Sequence, residues 1–147
     1  MDLKQLYRQV IMDNYKNPAN KGLKKTDEYH FVHLNNPSCG DDMNIEIKVE
    51  NNVLTEIHHD GKGCSICCSS ASVMSKTLEG KTFDEAKAII KDFYELVQGH
   101  PVNNEEALGE AIAYQGVSDF PARIKCSTLA WKSVEKAIGE VEANEGK

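Results

Sequence analysis

Asn44-Ile45-Glu46-Ile47-Lys48-Val49-Glu50-Asn51-Asn52-Val53-Leu54-Thr55-Glu56-Ile57-His58-His59 is the stretch whose reading decides the fold. Ile45, Ile47 and Val49 alternate with Asn44, Glu46, Lys48 and Glu50, the period-two pattern of a half-buried strand. Asn51-Asn52 suits a tight hairpin turn, because asparagine tolerates the left-handed backbone region. The return strand is expected over Val53–His59, with Val53, Thr55 and Ile57 on one face. Upstream, Tyr29–Leu34 reads as a third strand with imperfect alternation. Three strands joined by short turns predict an antiparallel sheet.

Outside the sheet the pattern turns helical. Leu3, Leu6, Tyr7, Val10 and Ile11 form the stripe of a first helix from Asp2 to about Tyr15, with Asp2 as N-cap and Asn17-Pro18 as its stop. Asn20–Asp27 reads as a polar loop. A second helix is expected from Ile66 to Leu78, closed by Gly80. Thr82 and Glu85 form a capping box that opens a third, which Gly99 and Pro101 close. A short helix over Glu105–Ala113 and a last one from about Arg123 complete the chain, with Glu142–Lys147 as a frayed tail. No internal repeat or low-complexity segment divides the 147 residues, so a single α+β domain spanning 1–147 is expected: a three-stranded antiparallel sheet packed with helices.

The formal net charge of −6 removes any broad attraction to nucleic acid or anionic membrane. No apolar run approaches the roughly 20 residues a membrane span needs. Met1 through Gln9 lacks the apolar stretch of a signal peptide. A soluble, cytoplasmic protein is the expectation. Five cysteines in such a chain argue against a disulfide scaffold, because cytosolic thiols are kept reduced.

The cysteines fall in three segments: Asn36-Pro37-Ser38-Cys39-Gly40-Asp41, Gly61-Lys62-Gly63-Cys64, and Pro121-Ala122-Arg123-Ile124-Lys125-Cys126. Each thiol sits at a strand end or a helix start, where ligands from separate elements converge on one point. Gly40 lets the backbone bend so that Cys39 and Asp41 face the same place. Three thiolates and one carboxylate suit tetrahedral Zn²⁺, and the harder carboxylate ligand suggests a site that exchanges a ligand. That set would carry a net charge of about −2 with the ion, for which Lys62, Arg123 and Lys125 are placed to compensate. The spacing is not that of an ordinary zinc finger, however. On spacing alone, a metal set and three unrelated reduced cysteines are equally good readings.

The segments Asn-Pro-Ser-Cys-Gly-Asp, Gly-Lys-Gly-Cys-Ser-Ile and Arg-Ile-Lys-Cys-Ser-Thr-Leu-Ala-Trp resemble those of the IscU/NifU-N family of iron–sulfur cluster assembly proteins. The likeness runs in order from Leu6-Tyr7-Arg8-Gln9-Val10-Ile11 to Trp131. It favours the SufU branch, because scaffold-type relatives carry a His where this chain has Lys125, and because the stretch between Cys64 and Cys126 is long. The resemblance implies an IscU/SufE-like fold and a Zn²⁺ ion held by Cys39, Asp41, Cys64 and Cys126. It further implies a sulfurtransferase rather than an independent metabolic enzyme. Such a protein takes persulfide sulfur from a SufS-type cysteine desulfurase onto Cys39 and passes it to a SufBCD-type assembly complex. By family analogy, a desulfurase His replaces Cys39 on the metal and frees the thiolate for attack. The rival reading is a scaffold for a transient [2Fe–2S] cluster; a third is a structural zinc module that recruits partners, against which Asp41 argues.

Cys67 and Cys68 depart from the family pattern. Cys64-Ser65-Ile66-Cys67 spells the C-x-x-C of a redox pair, but packing in the core one turn into a helix is the preferred reading, with an alternative zinc ligand or oxidation as the minority readings. His58-His59 are expected to point to opposite faces of a strand and not to share a metal. His30, His33 and His100 are read as surface or packing residues, and Trp131 as core.

Overall fold

The computed structural model describes residues 2–145. Its sheet has the order β1-β2-β3, with β1 (His30–Asn36), β2 (Asp41–Glu50) and β3 (Val53–Lys62) all antiparallel. The expected three-stranded α+β architecture is therefore observed. Asn51 and Asn52 both take positive φ, 53° and 60°, the backbone that a two-residue hairpin needs.

The faces of that hairpin differ from the expected ones. A β-bulge lies where Lys48 pairs with Glu56 and Val49 pairs with Leu54, so Thr55 has no partner across the ladder. The extra residue shifts the alternation, and Leu54 and Ile57 face the core in place of the expected Val53, Thr55 and Ile57. Beyond the bulge the phase holds, and His59 is buried on the same side as Ile57.

The helices are α1 (Leu3–Lys16), α2 (Ser65–Leu78), α3 (Phe83–Val97), α4 (Glu105–Leu108) and α5 (Pro121–Glu145), with a 3₁₀ segment over Gly109–Asp119. Asp2 caps α1 in a reciprocal capping box with Gln5, and Thr82 does the same for α3 with Glu85. The expected short helix is longer and changes character. It becomes 3₁₀ from Gly109, a glycine with φ 53° that breaks the α-helical path, and it buries Ala111, Ala113, Tyr114 and Val117. The stretch expected to fray from Glu142 instead continues α5 to Glu145, and Lys87 pairs with Glu142 at 2.7 Å; Gly146 and Lys147 lie outside the described residues.

One buried cluster joins Met43, Ile45, Ile47, Leu54 and Ile57 of the sheet to α2, α3, the 3₁₀ segment and α5. At its centre Trp131 stacks on Phe93, ring centroids 4.0 Å apart, and its indole N–H donates to Ser70 Oγ at 2.9 Å. Burying side chains of this size stabilises the fold by roughly 1.5–3 kcal/mol each. No helix of the described residues is long and apolar enough to cross a membrane.

On the opposite face of the sheet, Glu46 is almost wholly enclosed by the loop before β1. The N–H groups of Lys24 and Lys25 donate to its two oxygens at 2.8 and 3.1 Å, and His58 Nδ1 lies 2.7 Å away. These contacts fix the polar loop to the sheet.

Candidate metal centre

β1 ends at Asn36 and β2 begins at Asp41, and these two residues pair across the ladder. The four residues between them form a tight turn, in which Cys39 N–H donates to the Asn36 carbonyl at 3.2 Å and Gly40 takes φ 71°. Cys39 therefore stands exposed at the tip while Asp41, the first strand residue and not a loop residue as expected, is buried below it. Cys126 arrives from the second turn of α5 and is also buried. The sulfurs of Cys39 and Cys126 and a carboxylate oxygen of Asp41 all lie within 4.8 Å of one another.

Cys64 is the N-cap of α2, half-buried, and its sulfur stands outside that group of three. Its backbone is tied in, since the Cys64 N–H donates to Asp41 Oδ1 at 3.1 Å. Gly63 makes this approach possible: a Cβ there would overlap the same Asp41 oxygen. Burial first, then Asp41, Cys39 and Cys64, push the Cys126 thiol far above its ordinary pKa. A cation would reverse that order by favouring the thiolate.

Among the three basic residues singled out, Arg123 engages the thiols. Its guanidinium pKa is raised, by the Cys64 thiol first and by Cys126 as well. Lys62 and Lys125 are exposed. Arg123 also lines a broad, partly apolar groove with Tyr7 and Ile11 of α1 and with Phe120; none of the four candidate ligands lines it.

Two participants carried no assigned role in the sequence. The Asn36 amide donates to Asp41 Oδ2 at 3.4 Å and to Cys126 Sγ at 3.9 Å, buried between them. The Ala122 carbonyl accepts from both Cys39 and Cys126 at 3.7 Å. An asparagine before proline reads as turn chemistry, and a backbone carbonyl leaves no mark in a sequence.

The remaining candidates stay apart from the cluster. His58 meets Glu46 and Glu56 on the outer face, whereas His59 is buried and donates to the Ala19 carbonyl at 2.7 Å. His30, His33 and His100 pair with Glu140, Asp42 and Glu95.

The chain matches the family model for the NifU-like N-terminal domain over residues 6–127. The chain belongs to this family. It is 43% identical over 141 residues to the zinc-dependent sulfurtransferase SufU of Bacillus subtilis, covering 96% of this chain and 95% of that one. It is 40% identical over 136 residues to the iron–sulfur cluster assembly scaffold protein IscU of Streptococcus pyogenes, covering 92% and 84%. The fold superposes on a putative scaffold protein for the SUF system from Fervidobacterium islandicum with a TM-score of 0.78 at 28% identity, covering 93% of this chain and 99% of that one.

Proposed function

We propose that this chain is a sulfur carrier for iron–sulfur cluster assembly, with Cys39 as acceptor and Cys39, Asp41, Cys64 and Cys126 as ligands of a Zn²⁺ ion. The observation that carries the reading is the arrangement of Cys39: exposed, at a turn tip, and within 4.8 Å of two buried ligand atoms. The donor set fits zinc, which accepts thiolate and carboxylate together. When bound, zinc keeps a thiol deprotonated near neutral pH and shields it from oxidation.

The residues themselves then divide the work. The Cys39 thiolate attacks the terminal sulfur of a persulfide on a SufS-type cysteine desulfurase. The donor's S–S bond breaks, its cysteine leaves as a thiolate, and Cys39 carries the new persulfide. No electron is gained or lost overall. Arg123 stands beside the thiols, where its charge offsets the anionic sulfur. Asn36 holds Asp41 and Cys126 in place while Cys39 moves. A SufBCD-type complex is the onward acceptor, in the cytoplasm.

A second reading is a scaffold for a [2Fe–2S] cluster, favoured by the 40% identity to a protein named for that role. Lys125 weighs against it, because it is exposed and supplies no ligand beside Cys126.

Alanine production by the cognate desulfurase, titrated with the zinc-loaded chain, separates the two. Saturable stimulation that disappears with Cys39→Ala supports the carrier. Absent stimulation, with a cluster forming on the chain in anaerobic reconstitution, supports the scaffold.

A further inference from the structure

Apart from the metal centre, a small cavity of about 300 Å³ gathers groups that the sulfur-carrier reading leaves idle, among them Tyr15, Lys21, His59, Lys62 and Gly63. The backbone fixes where they stand. The His59 N–H donates to the Asn20 carbonyl at 3.1 Å and the Gly22 N–H donates to the His59 carbonyl at 2.8 Å, which lays Lys21 beside His59 in a short parallel bridge. Lys62 is held between two glycines. A Cβ on Gly61 would overlap the Asp42 carbonyl and one on Gly63 would overlap Asp41 Oδ1, so the turn carrying Lys62 lies pressed against β2. The lysines that form ion pairs are Lys48, Lys76 and Lys87, whereas among the described residues Lys21 and Lys62 pair with no carboxylate. Two unpaired positive charges therefore line one cavity of a chain whose net charge is −6.

His59 supplies the third group, and it is only 3% exposed. Its Nε2–H donates to the Ala19 carbonyl at 2.7 Å, which leaves Nδ1 with a lone pair and no proton. Among the described residues nothing donates to Nδ1, yet no fully enclosed side-chain nitrogen or oxygen lacks a partner, so this atom reaches the cavity that its ring lines. Burial, before any other cause, lowers the pKa of the ring and keeps it neutral. Such a cavity suits an anion that also has a proton to donate. Sulfate carries none near neutral pH, and a phosphate monoester, with a second pKa of about 6, has largely lost its own. Inorganic phosphate keeps at least one O–H. We propose that the cavity binds inorganic phosphate, whose oxygens accept from the Lys21 and Lys62 ammonium groups while its O–H donates to His59 Nδ1. The bound ion would brace the 61–63 turn, beside which Asp41 Oδ1 accepts from the Cys64 N–H.

Inorganic phosphate itself is the probe, titrated against the full chain and followed by phosphorus-31 NMR and calorimetry. The wild type is expected to broaden and shift the phosphate line saturably. Lys21→Ala and Lys62→Ala should each weaken binding on the order of tenfold, the size of one charge-assisted hydrogen bond, and Lys21→Ala/Lys62→Ala should abolish it. Both lysines are exposed, so neither change threatens the fold. Lys125→Ala, at an exposed residue outside the cavity, should match the wild type. Sulfate and glycerol phosphate should each bind about tenfold more weakly than phosphate, or worse, because neither brings a proton to Nδ1.

A wild-type chain that shows no saturable binding would overturn the proposal. Binding that survives in Lys21→Ala/Lys62→Ala would overturn it too, by placing the ion elsewhere on the chain or on its metal. Sulfate bound as tightly as phosphate would remove the role of His59 Nδ1, and with it the assignment of phosphate. None of these results touches the sulfur-carrier reading, because Cys39, Asp41, Cys64 and Cys126 all lie outside the lining of this cavity.

Discussion

At the scale of single residues, the candidate metal centre depends on two residues, Gly63 and Asn36, that are not themselves candidate ligands. Gly63 leaves the space that Asp41 Oδ1 occupies, and Asp41 is buried and already bonded to Cys64 N–H. Gly63→Ala is therefore expected to displace the carboxylate and weaken zinc binding by about tenfold or more, as read by chelator competition. Unchanged affinity would show that Asp41 is not a ligand. Asn36→Ala removes the amide between Asp41 and Cys126, and should cost about 1–3 kcal/mol of stability by leaving a buried acceptor unpaired. Urea unfolding measures it directly. The candidate ligand types are legible at this scale, because cysteine and aspartate announce their chemistry. The role of Asn36 was not, since an amide acquires one only from what lies beside it.

At the scale of elements, local rules held where local forces decide. The Thr82/Glu85 capping box forms where the sequence placed it, and Asp2 caps α1 as expected, with Gln5 completing a second box. Thr82→Ala should cost about 1 kcal/mol, seen as a lower denaturation midpoint with unchanged slope. Wherever a neighbouring element intervenes, the rules gave way. The bulge at Lys48/Val49 turned Leu54 inward, because the sheet buries whichever side chain faces the helices, whatever the strict alternation says. The 3₁₀ segment extends to Asp119 because Tyr114 and Val117 reach the core only along that path; Tyr114 O–H donates to Ser69 Oγ at 2.7 Å. The tail of α5 stays helical for a similar reason, with Lys87 of α3 holding Glu142.

At the scale of the whole molecule, the sheet carries a helical core on one face and a polar loop on the other, and the two respond to different stresses. Trp131→Ala would open a large cavity beside Phe93 and should cost about 3–5 kcal/mol, measured by thermal or urea unfolding. On the loop face, burial alone would raise the Glu46 carboxyl. The Lys24 and Lys25 N–H groups and His58 overcome that effect and hold it below its ordinary value of 4.5. A carboxyl lowered on folding contributes stability that is complete above the unfolded pKa and is lost as pH falls through the folded one. Wild-type stability should accordingly fall with acid below about pH 4.5, and Glu46→Gln should flatten that fall. An equally steep acid limb in the variant would remove Glu46 from the account.

The sequence by itself determined the α+β class, the hairpin at Asn51-Asn52, the helix caps and the three segments that carry the thiols. Each of these is set by residues within a few positions of one another, where periodicity, capping and turn chemistry act. Only the tertiary structure decided that Cys39, Asp41 and Cys126 meet within 4.8 Å, and that Cys64 stands outside that group. Those outcomes depend on how α5 and α2 dock on the sheet end. Docking is fixed by the shape of a core assembled from the whole chain, so no single window of sequence contains it.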